Sequence, residues 1–234
     1  MGLLRPALDD VFSRFGNPVV ADAGSGNAYL GFVLYELFFK DREQGELVSV
    51  ESRPELSEQA RERARKLGYA RMRFETADIA AAQYPERIHL MVALHACDTA
   101  TDDALVAAVR HNADHVALVP CCQAEVARQL KDSAAPSPAL APLFEHPWHR
   151  REFGAHLTNV VRALLLESFG YQVTVTELTG WEHSLKNELI LGRRVHKENR
   201  AAREKLERLL ADAGVAPKAT RELGIAPPPP QAAS

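Results

Sequence analysis

The chain has 234 residues, a formal net charge of −3, and 46% hydrophobic and 25% charged residues. This is the composition of an ordinary soluble globular protein, and the small negative charge gives no overall attraction to nucleic acid or to a membrane. Three cysteines, two of them adjacent, make no disulfide framework, so we expect a reducing, cytoplasmic location. No apolar run is long enough to span a bilayer, so no membrane partner is expected.

The first half of the chain alternates predicted helices and strands. In chain order the predicted elements are a helix at 3–15, a strand at 19–22, a helix at 27–40, a strand at 46–50, a helix from a capping box at 52–55 to Gly68, and strands at 71–75, 88–94 and 115–119. The helix at 27–40 is apolar nearly all round, which predicts burial on both sides. The strands are short continuous apolar runs, as expected for a parallel sheet covered on both faces.

The second half begins with a segment rich in Ala, Pro and Ser, from Asp132 to Trp148, which predicts a long irregular loop. The elements predicted after it are a helix ending at Gly170 and marked by Leu157, Val160, Val161, Leu164 and Leu165, strands at 171–176 and 188–192, and a charged helix at 196–211. Strict alternation over 171–176 predicts an edge strand with one solvated face.

This order of elements predicts a doubly wound α/β fold, because connections between parallel strands are right-handed. We expect one Rossmann-like domain over residues 1–195, with a mostly parallel seven-stranded sheet whose last strand is antiparallel. The segment 1–17 would pack on it as an N-terminal helix, 196–213 would be a charged helix, and 214–234 a disordered tail. The ligand site of such a fold lies at the carboxyl edge of the strands, beside the first strand.

The end of the first strand carries the most informative residues. Asp22 is followed by Gly24 and Gly26, and the second strand ends at Glu51. Glycines let the backbone approach a ligand closely, the following helix offers free N–H groups, and an acid after the second strand is where ribose hydroxyls bind. The sequence therefore predicts a nucleoside site; for Asp22, capping of backbone amides at the turn is the alternative.

Two nucleotide-binding motifs fit this turn poorly. A dinucleotide fingerprint needs a third glycine where Tyr29 stands, and no Gly-Lys-Ser/Thr follows the turn, which excludes a P-loop. The pattern instead resembles that of class I S-adenosylmethionine-dependent methyltransferases, through Asp22, Gly24, Gly26, Glu51 and Asp78.

The resemblance implies S-adenosyl-L-methionine as the cofactor. Gly24 and Gly26 would approach its methionine moiety, Glu51 would hold the ribose, and Asp78 would contact the adenine amine. For Asp78, a helix cap is the alternative. The other cofactor-binding residues that we predict are Asn27, Leu94 and His95.

Two further blocks follow the fourth and fifth strands, at residues 94–102 and 119–122. With a late segment at 182–187, they are similar to a branch of these methyltransferases that includes a eukaryotic tRNA ribose 2′-O-methyltransferase. Asp98 stands where that branch has glycine. His95 is our first candidate for a general base, because imidazole titrates near neutral pH, and Asp98 is the second.

The cysteines of these blocks raise the question of a metal. Cys and His are zinc ligands, but two adjacent cysteines, Cys121 and Cys122, are poorly placed to bind one tetrahedral ion, so we predict no metal. Cys122 is expected to be a small buried thiol that shapes the pocket, and Cys121 to face the substrate.

The acceptor side of the site is predicted at Lys186 and Asn187, for which a hairpin turn is the alternative, and at Arg150. Basic and aromatic residues are interleaved around Arg150, as in surfaces that bind RNA. RNA and a small molecule both stay open as acceptors. Two other functions also stay open: an inert cofactor-binding partner of an active subunit, and a nicotinamide-dependent enzyme. The oligomeric state does not follow from the sequence.

Overall fold

A computed structural model describes residues 2–94, 96–132, 141–178 and 187–225. The strands are β1 (Val19–Ala23), β2 (Glu46–Val50), β3 (Met72–Glu75), β4 (Leu90–Leu94), β5 (His115–Val119), β6 (Tyr171–Glu177) and β7 (Glu188–Arg194). The helices are α1 (Arg5–Arg14), α2 (Tyr29–Leu34), α3 (Pro54–Leu67), α4 (Thr99–Arg110), α5 (Glu125–Asp132), α6 (Ala141–Glu145), α7 (Pro147–Ser168), α8 (Arg200–Ala213) and α9 (Lys218–Glu222).

The strands form one seven-stranded sheet in the order β3-β2-β1-β4-β5-β7-β6. The pairs among β1 to β5 are parallel, whereas β7 is antiparallel to both of its neighbours, β5 and β6. The predicted fold, a mostly parallel doubly wound sheet with an antiparallel last strand, is confirmed. The strand order reverses next to β1, so the loops after β1 and β4 flank the switch point where such sheets bind ligands.

Both faces of the sheet are covered. One apolar core joins α1, α2 and α3 to the sheet, and the other joins α4, α7 and α8 to the opposite face. The edge strand β6 alternates between buried or partly buried and exposed residues from Tyr171 to Thr174, but the predicted alternation fails at Val175, which is exposed. None of the helices in the described ranges is both long and apolar enough to cross a membrane.

The helix after β1 differs from its prediction. It changes after α2 into one π-helical segment, Tyr35–Phe39, and its outer side is open to solvent. Tyr29 is 67% exposed, and Val33 and Leu37 on the same side are exposed as well. The expected burial on both sides is therefore wrong, because the described elements cover only one side of this helix. The predicted capping box of α3 is also wrong: Arg53 is the N-cap, it makes no side-chain cap bond, and Pro54 begins the helix.

The segment predicted as a loop, from Asp132 to Trp148, contains helix α6 and the start of α7. Pro147 stands in the first turn of α7, where the backbone N–H has no partner within the helix, so a proline there loses no hydrogen bond. In this segment the proline therefore marks the start of a helix and not a loop. Residues 133–140 lie outside the described residues. Within α7, Val160, one of the apolar residues that marked this helix in the sequence, is exposed.

Residues 214–225, predicted as the start of a disordered tail, are folded. Val215, Ala219 and Thr220 are buried. The carboxylate of Glu125 accepts hydrogen bonds from the Lys218 backbone N–H (2.9 Å) and from the Arg221 guanidinium (3.0 Å), which ties α9 to α5. Residues 226–234 lie outside the described residues.

We expect Glu125→Ala to lower the free energy of unfolding by about 2 kcal/mol, because it removes a charge-assisted bond and leaves the first N–H of α9 without its acceptor. The measurement is guanidinium denaturation. Glu204→Ala is the matched control, since Glu204 forms only an exposed pair with Arg200 one helical turn away, which is worth about 0.5 kcal/mol or less. Equal effects of the two changes would contradict the anchoring role of Glu125.

Candidate active site

The turn after β1 is pinned to the end of β2. The backbone N–H groups of Gly24 and Ser25 both donate to the carbonyl oxygen of Val50, at 2.9 and 2.8 Å. Gly24 and Gly26 have φ values of +73° and +56°, the left-handed region that favours glycine. The sequence predicted both glycines at this turn, and the structure gives the conformational reason for them.

Glu51 joins this turn to the following helix. Its side chain is buried, and its Oε2 accepts the N–H of Gly26 at 2.7 Å. Its Oε1 accepts both the backbone N–H of Arg53 (3.1 Å) and the guanidinium Nε (2.7 Å). Burial alone would raise the pKa of Glu51, but these bonds from Arg53 and Gly26 outweigh it and hold the pKa below its usual value. The carboxylate is therefore ionised at neutral pH and fixed beside the glycine turn.

Asp22 lies below the turn, in the interior. It is 2% exposed, it accepts a hydrogen bond from the backbone N–H of Gly31, and its Oδ2 has no hydrogen-bond partner among the described residues. Burial raises its pKa to about 7. The geometry matches the alternative weighed for Asp22, because its carboxyl binds a backbone amide of the helix after the turn.

Gly31 is a functional glycine that the sequence analysis missed. A Cβ atom there would lie 2.8 Å from Met72 Cε and 3.1 Å from Ser49 Oγ, so a larger residue would press on side chains of the sheet and Gly31 lets α2 pack closely. A dinucleotide fold assigns this packing role to the third glycine of its fingerprint. The sequence feature that could have indicated this role is a glycine inside an apolar helical run, which often marks close packing.

The loops after β1, β3 and β4 meet at Gly24. A Cβ atom on Gly24 would lie 3.5 Å from both Ile79 Cδ1 and Ala96 Cβ, so these side chains flank the turn. Asp78, directly before Ile79, is exposed and makes no side-chain cap bond to the 3-10 helix that follows it (Ile79–Ala81). The capping alternative for Asp78 is therefore not observed. Asn27 is exposed at the rim.

Asp98 is held as a helix cap. Its Oδ1 accepts the N–H groups of Ala124 (2.9 Å) and Glu125 (3.1 Å), and its Oδ2 accepts from the Arg128 guanidinium (2.9 Å). Burial would raise the pKa of Asp98, but these donors lower it below its usual value. Both oxygens are engaged and the proton affinity is low, so this geometry does not support the predicted role of general base.

The backbone of Asp98 explains the glycine found there in the similar branch. Its φ is +49° and its ψ −119°, and the Ala100 N–H donates to the Cys97 carbonyl at 3.0 Å. These values fit the second residue of a type II′ turn, which strongly favours glycine. Asp98 therefore combines a strained backbone with a capping carboxylate.

A buried ionic network that the sequence analysis missed supports this turn. Arg162 of α7 is 1% exposed; its Nε donates to Asp102 Oδ1 (2.7 Å) and its Nη2 to the carbonyl oxygen of Asp98 (2.8 Å). Asn159 accepts from Arg162 at 3.2 Å and donates to Glu188 of β7 at 2.8 Å. The sequence feature that could have indicated this network is the spacing of Asn159 and Arg162, one helical turn apart and next to the apolar positions of α7. Polar side chains in such a buried position are rarely unpaired.

The three cysteines come together at the ends of β4 and β5. Their sulfur atoms all lie within 4.8 Å of one another, and Cys97 Sγ is 3.4 Å from Cys121 Sγ. Cys122 is exposed, so its predicted burial is wrong. Cys121 and Cys122 were expected to be poorly placed around one ion, but they lie in the irregular segment after β5, where strand alternation does not apply, and their sulfur atoms lie close together. Leu94, half-buried, ends β4 beside this group, and His95 lies outside the described residues.

The remaining predicted acceptor residues are partly described. Asn187 is buried at the start of β7, and its carbonyl oxygen accepts the Leu178 N–H at 2.7 Å. Lys186 lies outside the described residues. Arg150 donates to the carbonyl oxygen of Phe144 at 2.7 Å and so ties α6 to α7, a structural role that the sequence did not predict.

A cavity of about 630 Å³ lies elsewhere, beneath α1. Its lining includes Leu3, Asp10, His115 and Gly192, and none of the residues predicted for the site. The chemistry-bearing residues are instead gathered at the carboxyl edge of the sheet.

A family profile described as "Methyltransferase domain" matches residues 1–129, just over half of the chain. The chain belongs to this methyltransferase family. The membership confirms the predictions of a methyltransferase domain and of S-adenosylmethionine as its cofactor. No curated protein matches this methyltransferase in sequence. The closer resemblance to the tRNA-methylating branch stays a prediction.

Solved structures share the fold of this methyltransferase at low identity. The 23S rRNA methyltransferase ErmE aligns with a TM-score of 0.52 and 14% identity, over 95% of this chain and 81% of its own. A geranyl diphosphate methyltransferase in complex with S-adenosylmethionine aligns at 0.51 and 16%, over 83% and 85%. An rRNA methylase from Streptococcus thermophilus aligns at 0.50 and 12%, over 83% and 95%. These likenesses concern the fold alone.

The raised pKa of Asp22 predicts a pH dependence of stability. Because the pKa is about 7 in the folded methyltransferase and 3.8 in the unfolded chain, the folded state holds an extra proton between these values. The contribution of Asp22 to stability is full below about pH 4 and is lost as the pH rises through about 7. Asp22→Asn keeps an acceptor for Gly31 but does not titrate.

The free energy of unfolding of Asp22→Asn, relative to wild type, should therefore rise by on the order of 3 kcal/mol between pH 5 and pH 8. Guanidinium denaturation at the two pH values measures it. Asp78→Asn, the same change at an exposed acid, is the control and should show no such rise. A parallel pH dependence of wild type and Asp22→Asn would contradict the assignment.

The two roles of Asp98 are separable by substitution. Asp98→Ala loses the cap and keeps the strained backbone, whereas Asp98→Gly loses the cap but relieves the strain. We expect the alanine variant to lose about 2 kcal/mol of unfolding free energy, and the glycine variant to be about 1 kcal/mol more stable than the alanine variant. Denaturation of both variants at pH 7 checks this order, and a glycine variant no more stable than the alanine variant would argue against backbone strain.

Proposed function

We propose that this chain is an active methyltransferase that binds S-adenosylmethionine at the corner formed by the turn after β1 and by Glu51. The observation that carries the proposal is the buried, ionised carboxylate of Glu51, held at 2.7 Å by the Gly26 amide at the carboxyl edge of the sheet. A carboxylate in this position accepts hydrogen bonds from the two hydroxyl groups of a ribose. Asp78 is exposed after β3 and, in this proposal, contacts the adenine amine.

The protein's work in methyl transfer is alignment and exclusion of water, since the reaction is an in-line displacement at a sulfonium methyl group. Gly24, whose turn is flanked by Ile79 and Ala96, is the proposed point where the backbone approaches the methionine moiety. Arg53 donates hydrogen bonds to the Glu51 carboxylate, but the Arg53 side chain is 59% exposed and can move into solvent when a ribose binds. With Asp98 held as a cap, His95 is the proposed general base for an acceptor that needs one.

We expect Glu51→Gln to weaken S-adenosylmethionine binding about tenfold to a hundredfold, because a hydrogen bond to a charged group contributes about 1.5–3 kcal/mol. Isothermal titration calorimetry measures the dissociation constant. Glu55→Gln, which neutralises an exposed acid in the first turn of α3, is the matched control and should leave it unchanged. Unchanged affinity of Glu51→Gln would rule out this corner as the ribose site.

For the acceptor we propose RNA, because α7 offers a stacking surface beyond the sheet edge. Asn159 contacts Gln123, which follows β5, and Glu188, which begins β7, so this point of α7 lies at the carboxyl edge. The helix then descends toward the start of β6. Its first part, residues 147–158, is about 18 Å of helix on the outer side of this point.

This projecting segment carries an exposed aromatic and basic pair. Trp148 is 63% exposed, and the Arg151 guanidinium lies over its ring at 4.3 Å from the centroid. His146 and His149 lie beside them, with ring centroids 5.6 Å apart. Exposed aromatic and guanidinium planes stack on unpaired bases, and the charge attracts phosphate.

The double change Trp148→Ala with Arg151→Ala should weaken binding of single-stranded RNA about tenfold or more and reduce the salt dependence by about one charge. Fluorescence anisotropy at several salt concentrations measures both. Arg200→Ala, at a highly exposed arginine of α8, is the control and should change neither. A second assay incubates the protein with a cell extract and S-adenosylmethionine that carries a labelled methyl group. Label in protein or small molecules, but not in RNA, would overturn the proposal of an RNA acceptor. No transfer of label would favour an inert cofactor-binding protein.

A further inference from the structure

The three thiols at the ends of β4 and β5 form a compact group of metal-ligand type. A tetrahedral zinc ion with Zn–S bonds of about 2.3 Å holds its sulfur ligands about 3.8 Å apart. The sulfur atoms of Cys97, Cys121 and Cys122 already lie within 4.8 Å of one another, with the first two 3.4 Å apart. Shifts of a few tenths of an ångström to about one ångström would bring all three to a common ion.

The backbone that carries these thiols is fixed from several sides. The Asp98 N–H donates to the Cys122 carbonyl at 2.6 Å, which joins the two loops directly. The Asp98 carboxylate binds the first amides of α5, and buried Arg162 binds the Asp98 carbonyl. The Thr101 hydroxyl donates to the carbonyl of Ala96. A preformed frame of this kind lowers the ordering cost of placing three ligands around one ion.

Without a metal, the Cys121 thiol is held in its protonated form. Burial, together with hydrogen bonds to the Cys97 and Cys122 sulfurs, raises the pKa of Cys121 to about 12. A bound divalent cation reverses this, because it deprotonates the thiols that coordinate it. Cys97 and Cys122 are exposed, so the ion would be reachable from solvent, and no fourth ligand among the described residues joins the group.

We propose that Cys97, Cys121 and Cys122 bind one zinc ion through three thiolates, with a water or an exogenous ligand in the fourth position. Thiolates favour zinc and other soft ions over magnesium or calcium. Three protein ligands and an open position form the pattern of reactive zinc sites, whereas structural sites usually have four protein ligands. The proposal stands on the thiol geometry and does not depend on the identity of the methyl acceptor.

The test is zinc stoichiometry in the full chain. Reduced protein is loaded with zinc sulfate, passed over a weak chelating resin and analysed by mass spectrometry of zinc and sulfur. We expect about one zinc per chain in wild type, and a loss of at least fivefold in each of Cys97→Ser, Cys121→Ser and Cys122→Ser. The double variant His146→Ala with His149→Ala lacks two exposed histidines whose rings lie beside each other. It should still bind one zinc, which controls for adventitious binding by histidine.

A second measurement covers variants that fold poorly. The chain has three cysteines, so alkylation of the native wild type counts all of its thiols. Zinc should protect them, and a strong chelator should restore their reactivity at unchanged circular dichroism. Zinc below one-tenth per chain, zinc retained in the cysteine variants, equal alkylation with and without zinc, or a Cys97–Cys121 disulfide in place of bound metal would each overturn the proposal.

Discussion

The hydrogen bonds of one carboxylate, that of Glu51, organise the ligand-binding corner. They join the glycine turn after β1, the end of β2 and the first residue before α3. A buried carboxylate is stable only when donors surround it, and here two amides and one guanidinium do so. The same carboxylate can therefore accept hydrogen bonds from hydroxyl groups of a ligand. Of its present donors, the exposed Arg53 side chain is the one that a ligand can displace.

A second polar group, on the opposite side of the switch point, organises the loop after β4. Arg162 and Asp102 form a buried pair, and Arg162 also holds the carbonyl of Asp98. Loss of one partner of such a pair leaves an uncompensated buried charge, which is strongly destabilising. The loop after β4 is therefore positioned from α7, and the three thiols and the strained turn at Asp98 depend on that positioning.

The parts of this site that could be predicted from sequence are those that local patterns encode. Gly24 and Glu51 stand at fixed distances from apolar strand ends, so their place at the carboxyl edge follows from strand periodicity. The role of Asp98 does not, because its cap partners begin 26 residues later in the chain. The burial of Arg162 depends on a partner 60 residues away. Likewise, the folding of residues 214–225 depends on Glu125, and composition alone suggested disorder.

The most direct test of the account is a crystal structure of the full chain with S-adenosylhomocysteine. The account predicts the ribose hydroxyls within hydrogen-bond distance of Glu51, Arg53 displaced from at least one carboxylate oxygen, and the amino-acid moiety against the backbone of the turn at Gly24. A nucleoside bound elsewhere, or a Glu51 carboxylate that keeps all its contacts to Arg53 while the ligand is bound, would contradict it.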